Sequence, residues 1–265
     1  MVSYHRLLVL LVCFFSIVSC SSGDIIDQSG SRLVQISTTT TDNYETHTNL
    51  HYDHTGKVLI VEDFTQNVKF HIQYDYNRKL KHTSHYLYSP EIINGIDSFI
   101  YGQNERLEKV ILYRLSSLKL KPTWEINYKY DGSEKPLERK TIQIESGKTT
   151  SWQKYFWDKN NLIKIQYFNH ENTLVTEIEI QYDKAKNYKK QLPIISNDPI
   201  TIFPNIARDP IKLCENNFIS YKYTFTTDPT QLICNPCVFK YKYNKDKFPV
   251  EVILPNGTIE VLVYK

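Results

Sequence analysis

Along most of the chain apolar and polar residues alternate with period two, and short polar stretches break the alternation at nearly regular distances. Asn127-Tyr128-Lys129-Tyr130 before one break, and Leu162-Ile163-Lys164-Ile165-Gln166-Tyr167 after another, put every second side chain on one face, the pattern of a half-buried strand. The breaks are rich in Asp, Asn and Gly, which tolerate the positive φ angles of tight turns. The predicted element is therefore the β-hairpin. "LPNGTIEVLV" from Leu254 is its cleanest case, with Asn256-Gly257 suited to a type I′ turn.

The alternation fails in two places. "LLVLLVCFFSIVSC", residues 7–20, follows His5 and Arg6 and is shorter than the roughly 20 apolar residues of a transmembrane helix, so its layout is that of a secretory signal. Ile17-Val18-Ser19-Cys20 resembles a bacterial lipobox. That resemblance implies a lipoprotein signal peptide over 1–19, an acylated Cys20, loss of Cys13 with the signal, and attachment to a membrane as an outer-membrane lipoprotein of the cell envelope, facing either side. The Ser- and Thr-rich stretch that follows reads as a tether over 20–43, ahead of a β domain over 44–265. The second failure is "QLPIISNDPITIFPNIARDP", 191–210, where four prolines exclude a central strand and predict a crossing loop or short helix over one end of the sheet.

A repeat underlies the hairpins. "HYDHTGKVLIV" from His51, "QYDYNRKLKHT" from Gln73, "IYGQNERLEKVI" from Ile100, "KYDGSEKPLERKTI" from Lys129, "YFWDKNNLIKIQY" from Tyr155 and "QYDKAKNYKK" from Gln181 share an aromatic, usually Asp, a polar turn, and then an apolar and a basic residue. Their aromatics Tyr52, Tyr74, Tyr101, Tyr130, Trp157 and Tyr182 are 22 to 29 residues apart, the length of one hairpin. These units resemble the YD repeats of the RHS group in the degenerate form carried by Bacteroidota lipoproteins. The closing "YKYNKDKFPVEVILPNGTIEVLVYK" is similar to the ending of those proteins through Tyr241, Tyr243, Asn244, Phe248, Pro249 and Val252. The resemblance spans about 44–265 and implies an extended antiparallel meander, curved or wrapped, without implying a chemistry.

Composition supports an all-β fold, since 20 Tyr and 12 Phe stand against one Met and 8 Gly. A net charge of +3 from 32 basic and 29 acidic residues gives no long-range attraction to nucleic acid. Of the later cysteines, Cys214, Cys234 and Cys237 predict one structural disulfide in an oxidising compartment, either Cys214 with one member of "CNPC" or that pair itself. A zinc site there needs a fourth ligand, and a thioredoxin-like motif needs a helix where "CVFKYKYN" continues as a strand. His47, His51 and His54, with His71, His82 and His85 on the next unit, offer a cross-strand metal site on paper, but wet-face histidines are the commoner reading and no metal is expected.

No hydrolase, metalloprotease or nucleotide-binding motif occurs, and the turn residues Asp53, Asp75, Asp131, Asp158 and Asp183 suffice as turn formers, so neither catalytic residue nor cofactor is expected. The i, i+2 aromatics Tyr128 and Tyr130, Tyr155 and Trp157, and Tyr241 and Tyr243 place two rings on one face. They are candidate binding aromatics, or else ladders that stabilise the sheet. The expected function is non-enzymatic: a sheet surface presented to a protein or glycan partner. The alternative is a periplasmic carrier of lipid or lipoprotein on a curved half-barrel.

Overall fold

A computed structural model of the chain describes residues 32–64, 67–88, 91–191, 213–225 and 236–265. In order the strands are β1 (Leu33–Thr39), β2 (Glu45–Tyr52), β3 (Val58–Asp63), β4 (Val68–Tyr74), β5 (Leu80–Tyr88), β6 (Glu91–Tyr101), β7 (Leu107–Ser116), β8 (Lys119–Tyr130) and β9 (Pro136–Gln143). They continue with β10 (Lys148–Asp158), β11 (Asn161–Asn169), β12 (Leu174–Lys186), β13 (Asn216–Phe225), β14 (Cys237–Val238), β15 (Lys240–Tyr243), β16 (Pro249–Ile253) and β17 (Ile259–Tyr264). Sequence neighbours pair antiparallel along the chain, and β17 returns to pair with β1. The result is an all-β, barrel-like sheet that closes on itself. β14 and β15 are one course interrupted at Phe239, whose N–H still donates to Ile219 O at 2.8 Å beside β13. Counted as one, they leave an even number of courses, which a ring of purely antiparallel neighbours requires.

The closure corrects two expectations. The alternative of a half-barrel gives way to a ring. Residues 33–39, assigned above to the tether, are the strand that closes it: Ile36 faces Leu262 on one side and Thr48 on the other. Thr is β-branched and fits a pleated surface, so a Thr-rich stretch is as ready to be a strand as a linker. Cys20 and the signal lie outside the described residues. So does nearly all of the Pro-rich segment, of which only Gln191 closes a 3₁₀ turn, Tyr188–Gln191.

One junction recurs around the first rim of the ring. The register slips by a residue where Tyr52 meets Val58, Tyr74 meets Leu80, Tyr101 meets Leu107, Tyr130 meets Pro136 and Trp157 meets Leu162, a β-bulge that turns each ring onto the inner wall. The ring then caps the preceding unit. Tyr74 Oη donates to Val58 O at 2.9 Å, Tyr130 Oη to Leu107 O at 2.9 Å, Trp157 Nε1 to Pro136 O at 2.9 Å and Tyr182 Oη to Leu162 O at 2.8 Å. At three of these carbonyls the preceding basic residue lies over the capping ring, Lys57 over Tyr74, Arg106 over Tyr130 and Lys135 over Trp157, and Lys79 lies over Tyr101 in the same way. The aromatic and the apolar-basic pair of the repeat are thus two halves of a contact between successive hairpins.

The same contact spans the closure. Tyr52 Oη donates to Leu33 O, Arg32 lies over Tyr52, and Arg32 and Lys265 exchange backbone hydrogen bonds at 2.6 and 2.8 Å. The turns between are type I followed by a left-handed residue. Asp53 N–H donates to Lys57 O and Gly56 N–H to Asp53 O, while Arg78, Glu105 and Lys247 take the left-handed place in their own turns. Asp53 Oδ1 also accepts from the N–H groups of Thr55 and Lys57, as Asn244 Oδ1 does from Asp246 and Phe248. The hairpin at Asn256-Gly257 follows this form and not type I′: Gly257 N–H donates to Leu254 O, and of the two central residues only Gly257 has positive φ.

Candidate functional site

The wall has two chemically distinct faces. Leu50, Val61, Phe70, Ile72, Phe99, Val110, Ile126, Ile165 and Ile178 line the inner face and are nearly fully buried. The candidate aromatics belong largely to this face. Tyr155 is buried and donates to Gln153 Oε1 at 2.6 Å, Tyr241 donates to Phe218 O at 2.8 Å, Tyr130 and Trp157 cap their neighbours, and Tyr128 packs on the core. Tyr243 is the exposed member and donates to Asp183 Oδ2. Burial raises the hydroxyl pKa of Tyr52 to about 12 and pushes those of Tyr74, Tyr101, Tyr182 and Tyr241 up as well, so the hydroxyls remain donors at neutral pH.

Towards the second rim the inner wall turns polar, with Thr46, Thr48, Asp63, Thr83, His85, Asp97, Gln153 and Thr176 all buried. A charged node sits here. Asp97, with no exposed surface, has Arg114 Nη1 at 2.8 Å from Oδ1 and His85 Nε2 at 3.1 Å from Oδ2; Thr83 Oγ1 is 3.3 Å from the same His85 nitrogen. Gly95 makes the node possible, because it pairs with His85 on one side and Arg114 on the other, and Arg114 crosses the space above it. A Cβ at residue 95 would stand 2.8 Å from Tyr113 O and 3.0 Å from Arg114 Nη1. Asp97 and Thr83 meet His85 at one nitrogen, whereas a catalytic triad uses opposite nitrogens for its acid and its nucleophile. The geometry is that of a buried ion pair. Sequence reading passed over this node; its signal was an Asp in the inward phase of "NGIDSFIY".

The outer wall carries partly exposed charge pairs between adjacent strands: Lys69 with Glu62, Lys109 with Glu125, Lys129 with Glu138, Lys164 with Glu177 and Lys242 with Glu251, at 2.7 to 3.7 Å. Apolar side chains also reach this wall, each more than a third exposed: Ile100, Phe156, Ile163 and Val238 singly, and Ile259, Val261 and Val263 as a stripe on β17. The histidines divide between the walls. His51 Nε2 is 2.9 Å from Glu62 Oε2 and His71 packs on Tyr86 outside, while His85 is inside. Among the described residues no three His, Cys, Asp or Glu converge on a metal position.

The cysteine expectation is corrected in one branch. Cys237 is disulfide-bonded, but Cys214 is not its partner. Cys214 is a buried thiol whose Sγ accepts the Leu162 N–H at 3.4 Å and touches Tyr182 Oη at 3.3 Å, and burial holds it protonated. It sits where residues 213–217 meet the end of β12, whereas Cys237 pairs further along β13, with Tyr221. Cys234 lies outside the described residues.

The second rim is uneven. Tyr44, Phe64, Leu87, Ile92 and Leu118 form an exposed apolar arc over its first four turns, with Leu118 93 % exposed. Ser117 and Leu118 both have positive φ, at 47° and 63°, a conformation unfavourable for leucine. The following turns, 144–147 and 170–173, carry polar tips.

Comparisons with known proteins show the fold alone. No family model matches the chain, and no curated protein matches it. A porin-like protein from Bacteroides vulgatus superposes with a TM-score of 0.53 at 12% identity, covering 89% of this chain and 99% of that one. A porin-like protein from Bacteroides uniformis (TM-score 0.41, 8% identity, 88% and 96% covered) and the Tc holotoxin pore of Photorhabdus luminescens (TM-score 0.32, 12% identity, 83% and 9% covered) are more distant.

Proposed function

We propose that this chain is a lipid-anchored, non-enzymatic binding protein of the cell envelope, whose closed sheet stands in water and offers the apolar arc of its second rim to a protein partner. The observation that carries this reading is the outer wall. A barrel that spans a bilayer turns an apolar band to the lipid, where each Lys or Arg at mid-depth costs about 2–4 kcal/mol. Here outer-wall strand positions hold Lys69, Lys109, Lys164 and their acidic partners instead, with Glu125 at the middle of β8. The fold resembles a porin, and the placement of charge is the reverse of one.

A protein partner is favoured over a glycan because most of the aromatic rows are committed inward, while Tyr44, Phe64, Leu87, Ile92 and Leu118 stand exposed on successive turns of one rim. A large apolar residue held in a left-handed turn is a strain that binding would repay. The test has two parts. A water-soluble amine reagent applied to the membrane-bound protein should label Lys69, Lys109 and Lys164; protection of all three would overturn the water-facing wall. A photo-crosslinking residue at position 118 should give a discrete protein adduct in the cell envelope, and one at position 171 on the polar part of the same rim should not. Equal capture, or none, would end the partner reading.

A further inference from the structure

The cations of the first rim fall into two groups. Those of the early turns are engaged: Lys79 Nζ donates to Glu105 O at 3.0 Å, Arg106 to Gly132 O, Lys135 to Asn160 Oδ1 at 2.9 Å, and Arg78 to Thr55 Oγ1 at 2.8 Å. They tie each turn to the next. Lys184, Lys190, Lys245, Lys247 and Lys265 are different. Their ammonium groups are exposed and make no hydrogen bond, ion pair or ring contact among the described residues.

These unengaged lysines share one sector. Lys184 and Lys190 lie at the end of β12, Lys245 and Lys247 in the turn after β15, and Lys265 pairs with Arg32; Lys186 Nζ, 5.0 Å from the centre of the Phe248 ring, joins the first two places. Asp246 and Glu215 are the exposed carboxylates among them. The sector is also where the chain enters the ring at Arg32. Cys20 stands twelve residues earlier in sequence, a span of at most about 40 Å when extended.

We infer that this basic sector of the first rim docks on an anionic lipid surface, turning the second rim and its apolar arc away from the membrane. The inference rests on the anchor reading above. Charge complementarity and the point of chain entry select a lipid headgroup layer as the occupant. A juxtamembrane basic cluster gains attraction with each lysine and loses it within a Debye length of the surface. Lys159, in the turn after β10, is exposed and unengaged as well but stands alone, and the charges of Lys79, Arg106 and Lys135 are held against neighbouring rings and carbonyls.

The test is an amine-reactive footprint of the full acylated chain on vesicles of phosphatidylcholine alone or with one third phosphatidylglycerol. Labelling of Lys184, Lys190, Lys245, Lys247 and Lys265 should fall about fivefold on the anionic vesicles only, and recover in half-molar salt or in the variant Lys245→Glu/Lys247→Glu, while Lys119 and Lys148 on the second rim stay unchanged. Equal labelling on both vesicles overturns the docking. So does equal protection on both, which would mean that the anchor alone holds the rim close, or protection by a soluble anionic polysaccharide in place of lipid. Flotation with the uncharged vesicles reports separately on the anchor. A chain that fails to float there but is footprinted on the anionic ones retains the docking and loses the anchor.

Discussion

Glu62 on the outer wall and Asp97 on the inner wall are the same motif in two solvents. Each is a carboxylate between a histidine and a longer cation on neighbouring strands: His51 and Lys69 flank Glu62 at 2.9 and 3.7 Å, His85 and Arg114 flank Asp97 at 3.1 and 2.8 Å. Outside, water screens the charges and the pair is worth little. Inside, the carboxylate has been stripped of water and depends on its partners, so that removing Asp97 or Arg114 leaves the other without its counter-charge. A single strand period, which sends alternate residues to opposite faces, separates a dispensable contact from one on which the wall depends.

The sharpest test of the difference is Asp97→Asn. It should lower unfolding free energy by about 3–5 kcal/mol in a urea melt, because His85 and Arg114 then face a neutral amide in a buried site. A loss under about 1 kcal/mol would mean that the node is hydrated. Gly95→Ala attacks the same node without touching a charge. The new methyl meets Tyr113 O and the Arg114 side chain, and a loss of about 1–3 kcal/mol is expected. Asp97→Asn should then cost less in the Gly95→Ala background than in the native chain, which a double-mutant cycle measures.

Between these extremes lies the hydroxyl ladder, which is buried but neutral. Tyr52→Phe deletes the hydroxyl that bonds Leu33 across the ring closure and should cost about 1 kcal/mol. It should also flatten the alkaline limb of stability. Burial raises the Tyr52 hydroxyl pKa to about 12 from the ordinary 10, so the folded chain keeps a proton that the unfolded chain releases first. That contribution is whole below pH 10 and is lost as the pH climbs towards 12. Tyrosinate absorbance followed alongside circular dichroism checks it: ionisation of this residue well before unfolding would contradict the burial. The smallest effect belongs to Glu62→Gln on the outer wall, expected to be below about 1 kcal/mol and to shrink further in salt.

Much of this architecture was legible from residue order. Alternation with period two and turns at hairpin spacing depend on local stereochemistry, which is why an all-β chain of repeated hairpins follows from Asn127-Tyr128-Lys129-Tyr130 and its counterparts. The aromatic and the basic residue of each unit were legible as a pattern but not as a contact. Lys57 and Tyr74 are seventeen positions apart, and only the bulge at each junction brings one over the other.

What tertiary structure alone decided is everything that depends on closure. Leu33–Thr39 is a strand because β17 and β2 offer it two neighbours, and no local preference distinguishes it from a Thr-rich linker. Which face is dry follows from the ring as well. Alternation says that Tyr128 and Tyr130 share a side, whereas closing the sheet assigns that side to the interior, puts Glu62 and Lys69 half-buried on the outer face, and makes Asp97 a fully buried carboxylate. The period of a strand is local, but inside and outside exist only once the sheet has joined its own edges.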